Sequence, residues 1–254
     1  YGLGASGLVV REVVVASDAQ VNYLVPVDDS LGTSWQQNTF DDSGWLSAPH
    51  PVGFESATGA LQQVIVTDIA SDMKGVNAGG YFRFPFQFNG DERQVISARL
   101  NVTVDDGYVA YLNGVEVARA NAPRPMSWNS RATGGRQDSL VVSELLSTDL
   151  SPFTGAIADG ENVLAVQAMN TSPGSSDFVI GVEMLADIQD TSAGSQFGFF
   201  RNPTPGSPND IVFAPPPQDV EFSLKGGLFT DAFDLELSCA TPGATIRYTT
   251  DLSL

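Results

Sequence analysis

Residues 102–120, VTVDDGYVAYLNGVEVARA, decide the fold of this chain. The stretch alternates apolar and polar residues around an acidic turn and the dipeptide Asn113-Gly114. Asn-Gly between two alternating runs predicts a two-residue β-hairpin, because both turn positions require a positive φ. The predicted register pairs four residues of each strand: Leu112 with Val115, Tyr111 with Glu116, Ala110 with Val117, and Val109 with Ala118.

Period-two hydrophobicity extends to both sides of this hairpin. Residues 81–88, YFRFPFQF, place four phenylalanines on one face, and Pro85 predicts an edge or a bulge because it donates no ladder hydrogen bond. Residues 96–104 form a second such strand, whose inward face is predicted to contain Ile96, Ala98, Leu100, Val102 and Val104. Residues 161–169 are apolar on both faces, which is typical of a central strand. We therefore predict an all-β sandwich without a long helix.

The charge balance limits the classes of partner. The chain has 12 Lys and Arg residues against 30 Asp and Glu residues, a formal net charge of −18. This charge repels a phosphate backbone and an anionic membrane surface, so we expect no nucleic-acid partner and no membrane insertion. Most of the acidic excess is interpreted as solubility in a salty exterior. The rest is interpreted as one or two structural Ca²⁺ sites, because Ca²⁺ takes oxygen ligands.

The composition and residue pattern of the chain predict three segments. Residues 1–190 form the β-sandwich, in which 1–20 is either the first strand or the tail of a preceding domain. Residues 191–218 are a Pro-rich linker that includes Pro215-Pro216-Pro217. Residues 219–254 form an incomplete β-domain, because three strands cannot build a sandwich alone. Since the chain begins at Tyr1 and stops inside this pattern, we expect a piece of a longer secreted protein.

An ordered series of short motifs resembles the galactose-binding-like, jelly-roll modules of large secreted bacterial proteins of the planctomycete type. The motifs are TSW (33–35), FDDSGW (40–45), VGF (52–54), YFR (81–83), VDDG (104–107), YLNG (111–114), ENVLAV (161–166) and SSDF (175–178). Residues 199–254, beginning FFRNPTPGSPN, are similar to the start of a chitobiase/hexosaminidase C-terminal-type immunoglobulin-like domain. The resemblance implies a jelly-roll β-sandwich, a Pro-rich linker and a partial immunoglobulin-like β-domain. It also implies attachment to glycan or to neighbouring surface proteins, without catalysis.

Acidic pairs supply the candidate metal ligands. Each pair suits either an oxygen-rich cation site or a turn in which Asp accepts hydrogen bonds from its own backbone. One pair precedes a hairpin strand, one lies between Trp35 and Trp45, and two further acids flank the last strands, where the resembling jelly rolls place Ca²⁺. The predicted ligands are Asp41, Asp42, Asp105, Asp106, Glu161 and Asp177.

The loop 121–138 is the candidate ligand-binding face, because it concentrates an aromatic residue and three basic residues in a long polar segment. The predicted ligand-binding residues are Trp128, Arg124, Arg131, Arg136 and the nearby Tyr108. The alternative is a solvated loop with Trp128 packed underneath. The only histidine, His50, is interpreted as a surface residue, and no nucleophile elbow is found. We therefore predict that the chain is not an enzyme.

Three functions stay open. The first is a non-catalytic carbohydrate-binding or attachment module of a multidomain extracellular bacterial protein, stabilised by Ca²⁺. The second is a structural or assembly module of a cell-surface or filament protein without a glycan site. The third is an accessory domain of a secreted enzyme whose catalytic domain lies outside this chain.

Overall fold

A computed structural model describes residues 8–56, 58–90 and 93–190, together with 199–200, 213–214, 218–224, 232–241 and 244–248. The chain forms two compact units, Leu8–Ser192 and a second unit of Tyr1–Gly7 with Ala193–Leu254. The predicted boundaries at 190 and 218 stay a prediction, and the prolines of the predicted linker lie outside the described residues. No described helix is long and apolar enough to cross a membrane.

The Leu8–Ser192 unit is built from short strands and a few short helices. Its strands are β1 Leu8–Val15, β2 Gln20–Leu24, β3 Leu46–Pro49, β4 Val52–Glu55, β5 Thr67–Asp68, β6 Gly79–Phe88, β7 Arg93–Asp105, β8 Gly107–Leu112, β9 Val115–Ala120, β10 Leu146–Asp149, β11 Gly160–Met169 and β12 Asp177–Asp190. Its helices are α1 Ala70–Met73, α2 Asp138–Ser143 and 3₁₀ turns at Ser34–Gln36, Ala60–Gln63 and Ser151–Ala156. In the second unit, β13 Phe199–Phe200 pairs with β14 Phe213–Ala214, and β15 Glu221–Phe222 pairs with β16 Leu237–Ser238.

The twelve strands form two six-stranded sheets, which confirms the predicted β-sandwich. Sheet A has the order β10-β7-β12-β4-β5, with β1 also paired to β12; sheet B has the order β3-β2-β6-β11-β8-β9. All pairs are antiparallel except β4 with β5. Residues 8–15 are therefore a strand of this sandwich, whereas residues 1–7 lie outside the described part.

The core between the sheets contains the predicted phenylalanine face. Phe82, Phe84 and Phe86 of β6 are buried against residues of β7 and β12 such as Leu100 and Phe178. Each such side chain contributes about 2–3 kcal/mol through the apolar area it removes from water. At Pro85, β6 pairs with β11 only, because β2 ends its pairing at Arg83. An interior strand therefore accommodates a proline at the point where it loses one neighbour.

The decisive hairpin forms with a bulge. Asn113 and Gly114 have φ values of 49° and 88°, as the turn prediction requires. The two pairs next to the turn, Leu112 with Val115 and Tyr111 with Glu116, are confirmed. Beyond them the register shifts by one residue, so that Ala110 lies opposite Ala118 and Val109 opposite Arg119. The last two predicted pairs are wrong, since a β-bulge inserts an extra residue that period-two alternation does not reveal.

A second bulge corrects the predicted face of β7. Ser97 pairs with Asp187 but Val95 pairs with Ile188, so Ile96 has no cross-strand partner on β12. Ile96 is 45% exposed and Val95 takes the buried position instead. The other four predicted inward residues of this strand are buried.

The interpretation of His50 as a surface residue is wrong. His50 is fully buried, and its Nε2 lies 3.0 Å from the carbonyl oxygen of Ala16. The backbone N–H of Val182 donates to its Nδ1 at 3.4 Å. Burial lowers the pKa of His50, although the bond to Ala16 and the charge of Asp18 act in the opposite direction. These contacts fit a neutral imidazole protonated at Nε2.

Candidate metal centre and candidate ligand faces

Three acidic side chains converge at one end of sheet A. Glu55 ends β4 and lies opposite Asp177, which begins β12. Asp138 lies in the first turn of α2. Each residue offers a carboxylate oxygen, and these oxygens lie within 4.8 Å of one another. Oxygens at this separation fit around Ca²⁺, whose opposed ligands are about 5 Å apart at bond lengths of about 2.3–2.6 Å.

Strand register explains the convergence. Val179 lies opposite both Gly53 of β4 and Asp105 of β7. Residues two apart on a strand share a face, so Asp177, Glu55 and Asp105 point to the same side of sheet A. On that side Val179 forms a small buried cluster with Leu61 and Val141. Because Val141 belongs to α2, this cluster holds the helix against the sheet and positions Asp138.

Asp105 is the most deeply buried acid of this region. It is 2% exposed, and its Oδ2 has no hydrogen-bond partner among the described residues. Burial, followed by the charge and the side chain of Asp106 and the charges of Asp177 and Asp138, together raise the pKa of Asp105 to about 8. A carboxyl group in this position destabilises the fold unless a cation or a proton neutralises it.

Asn170, which neighbours Asp177, supplies a second kind of oxygen, that of an amide. It is 2% exposed, and its Nδ2 donates to the backbone oxygen of Asp177 at 2.7 Å. Its Oδ1 has no hydrogen-bond partner within the described part of the chain. An amide oxygen is a good ligand for a hard cation. We call Glu55, Asp105, Asp138, Asn170 and Asp177 the acidic centre.

Asp106 faces a different set of groups from its neighbour. Its Oδ1 accepts a hydrogen bond from the backbone N–H of Arg136 at 2.8 Å, and its Oδ2 accepts one from Thr171 at 3.1 Å. These two hydrogen bonds connect Asp106 to two backbone segments, one at Arg136 and one at Thr171. The peptide bond between Asp105 and Asp106 is cis.

The other predicted metal ligands lie elsewhere. Asp42 accepts a hydrogen bond from Arg83 Nε at 2.6 Å, and Asp41 is exposed and accepts one from the N–H of Ser43 at 3.0 Å. The bonds from Ser43 lower the pKa of Asp41. Glu161 is exposed at the start of β11. Of the six predicted residues, the structure brings Asp105 and Asp177 together.

Three members of the acidic centre were not predicted from the sequence. Glu55 is the last residue of β4, Asp138 is the first residue of α2, and Asn170 directly follows β11. The only local signal of each is that it is a polar residue next to an apolar run. That signal is common, so it does not distinguish a ligand from a surface residue.

The outer face of sheet B is covered by loops. Trp35 is buried and stacks on Tyr81, with ring centroids 4.0 Å apart. Trp45, Met126 and Trp128 are partly buried over the same apolar surface. The backbone oxygen of Trp128 also accepts a hydrogen bond from Asn77 at 3.4 Å. This arrangement fits the alternative in which Trp128 packs beneath its loop.

The remaining predicted ligand residues differ in accessibility. Arg124 pairs with Glu116 at 2.7 Å, and Arg136 donates to the backbone oxygens of Val104, Leu140 and Glu144. Arg131 is exposed. Tyr108 is buried in the core between the sheets, where a glycan does not reach its ring. This placement removes Tyr108 from the candidate ligand-binding residues.

A hollow of about 290 Å³ lies on the outer side of β6 and β11. Its polar and aromatic lining includes Asn38, Phe40, Asp42, Arg83, Gln87 and Glu161. This volume lies just below the range of about 300–1,000 Å³ for ligand pockets, so the hollow suits at most a small polar group such as one sugar ring.

Comparisons with known proteins find distant structural likeness only. No protein-family model and no curated protein matches this chain. A β-glucuronidase from Ruminococcus gnavus in complex with D-glucuronic acid is 13% identical, with 74% of this chain and 31% of that chain covered and a TM-score of 0.43. A Bacteroides uniformis β-glucuronidase is 17% identical, with 70% and 18% covered and a TM-score of 0.43. The chain spans less than a third of the length of either protein.

Proposed function

We propose that this chain is a non-catalytic, Ca²⁺-stabilised β-sandwich module that attaches a multidomain extracellular bacterial protein to carbohydrate. The acidic centre is the observation that carries the proposal. Its groups are oxygen donors only, and oxygen-only sets suit Ca²⁺ rather than zinc or copper. Extracellular modules bind Ca²⁺ at the high concentrations found outside cells.

The absence of catalysis is supported by the position of the single histidine of the sequence. His50 is buried and both of its ring nitrogens contact backbone groups. It is therefore unavailable as a general acid or base for a substrate at the surface. The carboxylates of the acidic centre lie against α2, where a cation uses them as ligands.

The hollow beside β6 and β11 is the proposed carbohydrate site. Gln87 and Glu161 are exposed and can bind hydroxyl groups, while Phe40 offers part of an aromatic ring. Sugars suit such a lining, because their hydroxyl groups form hydrogen bonds with polar side chains and their C–H faces stack on aromatic rings. The arginine of the hollow, Arg83, is already bonded to Asp42.

The first test is thermal unfolding of the protein in Ca²⁺, in Mg²⁺ and in EDTA. We expect Ca²⁺ to raise the melting temperature in a concentration-dependent way, because a ligand that binds only the folded state stabilises it. Asp177→Asn should reduce this increase, whereas the exposed control Asp41→Asn should keep it. A melting temperature that is identical in Ca²⁺ and EDTA would refute the metal part of the proposal.

The second test is a glycan array in Ca²⁺ buffer. The expected result is binding of one glycan class by the wild-type protein and loss of that binding in Gln87→Ala and Glu161→Gln. Trp128→Ala tests the loop 121–138 as the competing face. Binding that is lost only in Trp128→Ala would move the carbohydrate site to that loop.

A second candidate function is an assembly module without a glycan site. It is favoured by the outer face of sheet B, where Trp35 is buried and Trp45 and Trp128 pack against the module's own residues instead of forming an open aromatic platform. A blank array together with Ca²⁺-dependent stabilisation would select this function.

A further inference from the structure

We propose that Asp105 and Asn170 complete the cation site and that the bound cation locks residues 127–138, here called the clamp segment, onto the sandwich. This inference rests on the proposed Ca²⁺ occupancy of the acidic centre and adds its ligands and its effect on a neighbouring loop.

Two buried oxygens support the larger ligand set. Asp105 Oδ2 and Asn170 Oδ1 both lack a hydrogen-bond partner among the described residues. Buried polar atoms without a partner are rare in folded proteins, and each one calls for an unseen ion or water. Asn170 Nδ2 donates a hydrogen bond to the backbone oxygen of Asp177. Asp105 lies on the same side of sheet A as Asp177, because it pairs with Val179, two residues further along β12. Both residues are therefore neighbours of Asp177, one of the three acids that a cation would bridge.

The number of donors suits Ca²⁺. Four carboxylates and one amide give five side-chain ligands, and Ca²⁺ takes six to eight oxygens at flexible angles. Backbone oxygens, waters or second carboxylate oxygens complete such a shell. Mg²⁺ requires a shorter, more regular octahedron, so we expect it to bind more weakly.

The clamp segment is anchored next to these ligands. Asp106, which follows Asp105, accepts a hydrogen bond from the N–H of Arg136. The backbone oxygen of Asn170 accepts one from Ala132 at 2.9 Å. Asp138 is itself the last residue of the segment. Three of the five ligands are thus coupled to the segment directly or through an adjacent residue.

The sign of the coupling follows from charge. Without a cation, Asp138 lies close to Glu55 and Asp177, on the side of sheet A that also holds the buried Asp105, and repulsion among these acids acts against its position. A divalent cation converts this repulsion into attraction and pulls α2 and the clamp segment toward sheet A. Trp128 and Ala132 of the segment pack over the outer face of sheet B. Loss of the cation should therefore loosen the cover of that face before the sandwich itself unfolds.

Hydrogen exchange of the full chain, in Ca²⁺ and in EDTA, tests this coupling. The reporters are the amides of Ala132, Thr133 and Arg136, which donate to Asn170, Asn121 and Asp106. The reference is β11, whose residues pair with β6 and β8 on both sides. We expect exchange of the reporters to be at least about tenfold faster in EDTA, because local openings have their own free energy, while β11 changes little.

Two variants connect the reporters to the ligands. Asp138→Asn should weaken Ca²⁺ binding in calorimetry by at least about tenfold, since loss of a mere supporting group already has an effect of about 10–100-fold. In Ca²⁺, the reporter amides of this variant should then exchange at the rates that the wild-type protein shows in EDTA. Asp41→Asn is the matched control and should behave as wild type. Asn170→Ala tests the buried amide ligand. It also provides a second variant for testing the ligand set if Asp105→Asn fails to fold.

The outcomes separate this inference from the proposed function. If Ca²⁺ raises the melting temperature but leaves reporter exchange unchanged relative to β11, the clamp is wrong and the metal site stands. If Asn170→Ala and Asp105→Asn bind Ca²⁺ as tightly as wild type, the larger ligand set is wrong. If calorimetry detects no Ca²⁺ binding by the wild type, the metal site and the clamp fail together.

Discussion

Two of the three Asp-Asp pairs of the chain, Asp41-Asp42 and Asp105-Asp106, look alike in sequence and differ in the fold. Each is followed closely by glycine and lies near aromatic residues. In the first turn, one acid is exposed and accepts hydrogen bonds from Ser43, while the other pairs with Arg83. In the second turn, both acids are buried, and Asp106 accepts hydrogen bonds from backbone N–H groups. Asp105 has an oxygen that meets no hydrogen-bond partner in the described part of the chain.

This difference shows that the environment of an acid, rather than its presence, defines a cation site. Asp42 faces Arg83, which is 3% exposed and also donates to the backbone oxygens of Trp35, Gln37 and Phe40. The positive charge is thus supplied by the protein. Among the described residues, the charged groups that shift the pKa of Asp105 are all acids. Arg136 donates to the backbone oxygen of the preceding residue, Val104, rather than to the Asp105 carboxylate. A proton or a metal ion would neutralise this carboxylate.

The largest expected effect comes from breaking the first turn. Asp42→Ala leaves the buried guanidinium of Arg83 without its acid, and removal of one partner of a buried pair destabilises a protein by about 3–5 kcal/mol. Because Asp42 is partly exposed, we expect the lower end of that range. Urea unfolding should show this loss equally in Ca²⁺ and in EDTA. A loss seen only in Ca²⁺ would contradict the assignment of this turn to a protein-internal ion pair.

Asp105→Asn should have opposite effects in the two buffers. In EDTA the neutral amide removes a buried acid from an acidic surrounding, so the free energy of unfolding should rise by at least about 1 kcal/mol. In saturating Ca²⁺ the variant loses a ligand and should be less stable than wild type. Paired urea titrations measure both values. Destabilisation of similar size in both buffers would mean that Asp105 has a packing role only.

His50 provides the expected acid sensitivity, which neither turn explains. Its folded pKa lies below its unfolded value of about 6.5, so its full contribution to stability is present above pH 6.5 and is lost as the pH falls toward the folded pKa. The loss is at most about 1.4 kcal/mol per pH unit in that window. Urea unfolding in Ca²⁺ between pH 7.5 and 5 measures it. The ring signal of this single histidine in NMR should titrate below pH 6.5, and titration at or above that value would exclude the buried neutral state.

The smallest expected effect is a difference in pKa between one aspartate of each turn, Asp41 and Asp105. In Ca²⁺-free protein, carboxyl NMR signals should give Asp41 a pKa below its usual value and Asp105 a pKa of about 8. Asp41 therefore stabilises the fold at pH values above its unfolded pKa, and this stabilisation is lost as the pH falls through its folded pKa. Asp105 contributes most to stability at pH values below its unfolded pKa, and this contribution is lost as the pH rises toward 8. Equal pKa values for the two acids would remove the distinction on which the acidic centre depends.

Much of the sandwich was predictable because its signals are local. The phenylalanines of β6 alternate with polar residues, and Asn113-Gly114 supplies two residues that tolerate positive φ. Ile96 and the far half of the hairpin were mispredicted for one shared reason. A bulge shifts a strand by one residue, and nothing in a period-two pattern marks where the shift occurs.

Only two of the five members of the acidic centre were predicted, because the members are far apart in the chain. Asp105 was selected as part of an acidic pair and Asp177 as an acid that flanks the last strands, whereas Glu55, Asp138 and Asn170 were not selected. Their proximity depends on the pairing of β12 with both β4 and β7 and on the packing of Val141 against Val179. His50 shows the same dependence, because its burial follows from contacts with Ala16 and Val182.

The sequence by itself determined that this chain forms β-strands, where its decisive turn lies and that acids dominate its charge. These properties depend on residue type and on spacing over a few positions. Only the tertiary structure decided which aspartate meets Arg83, which one stays buried among other acids, and which tryptophans are covered. Those outcomes depend on strand pairing and loop packing between residues far apart in the chain, where local periodicity carries no information.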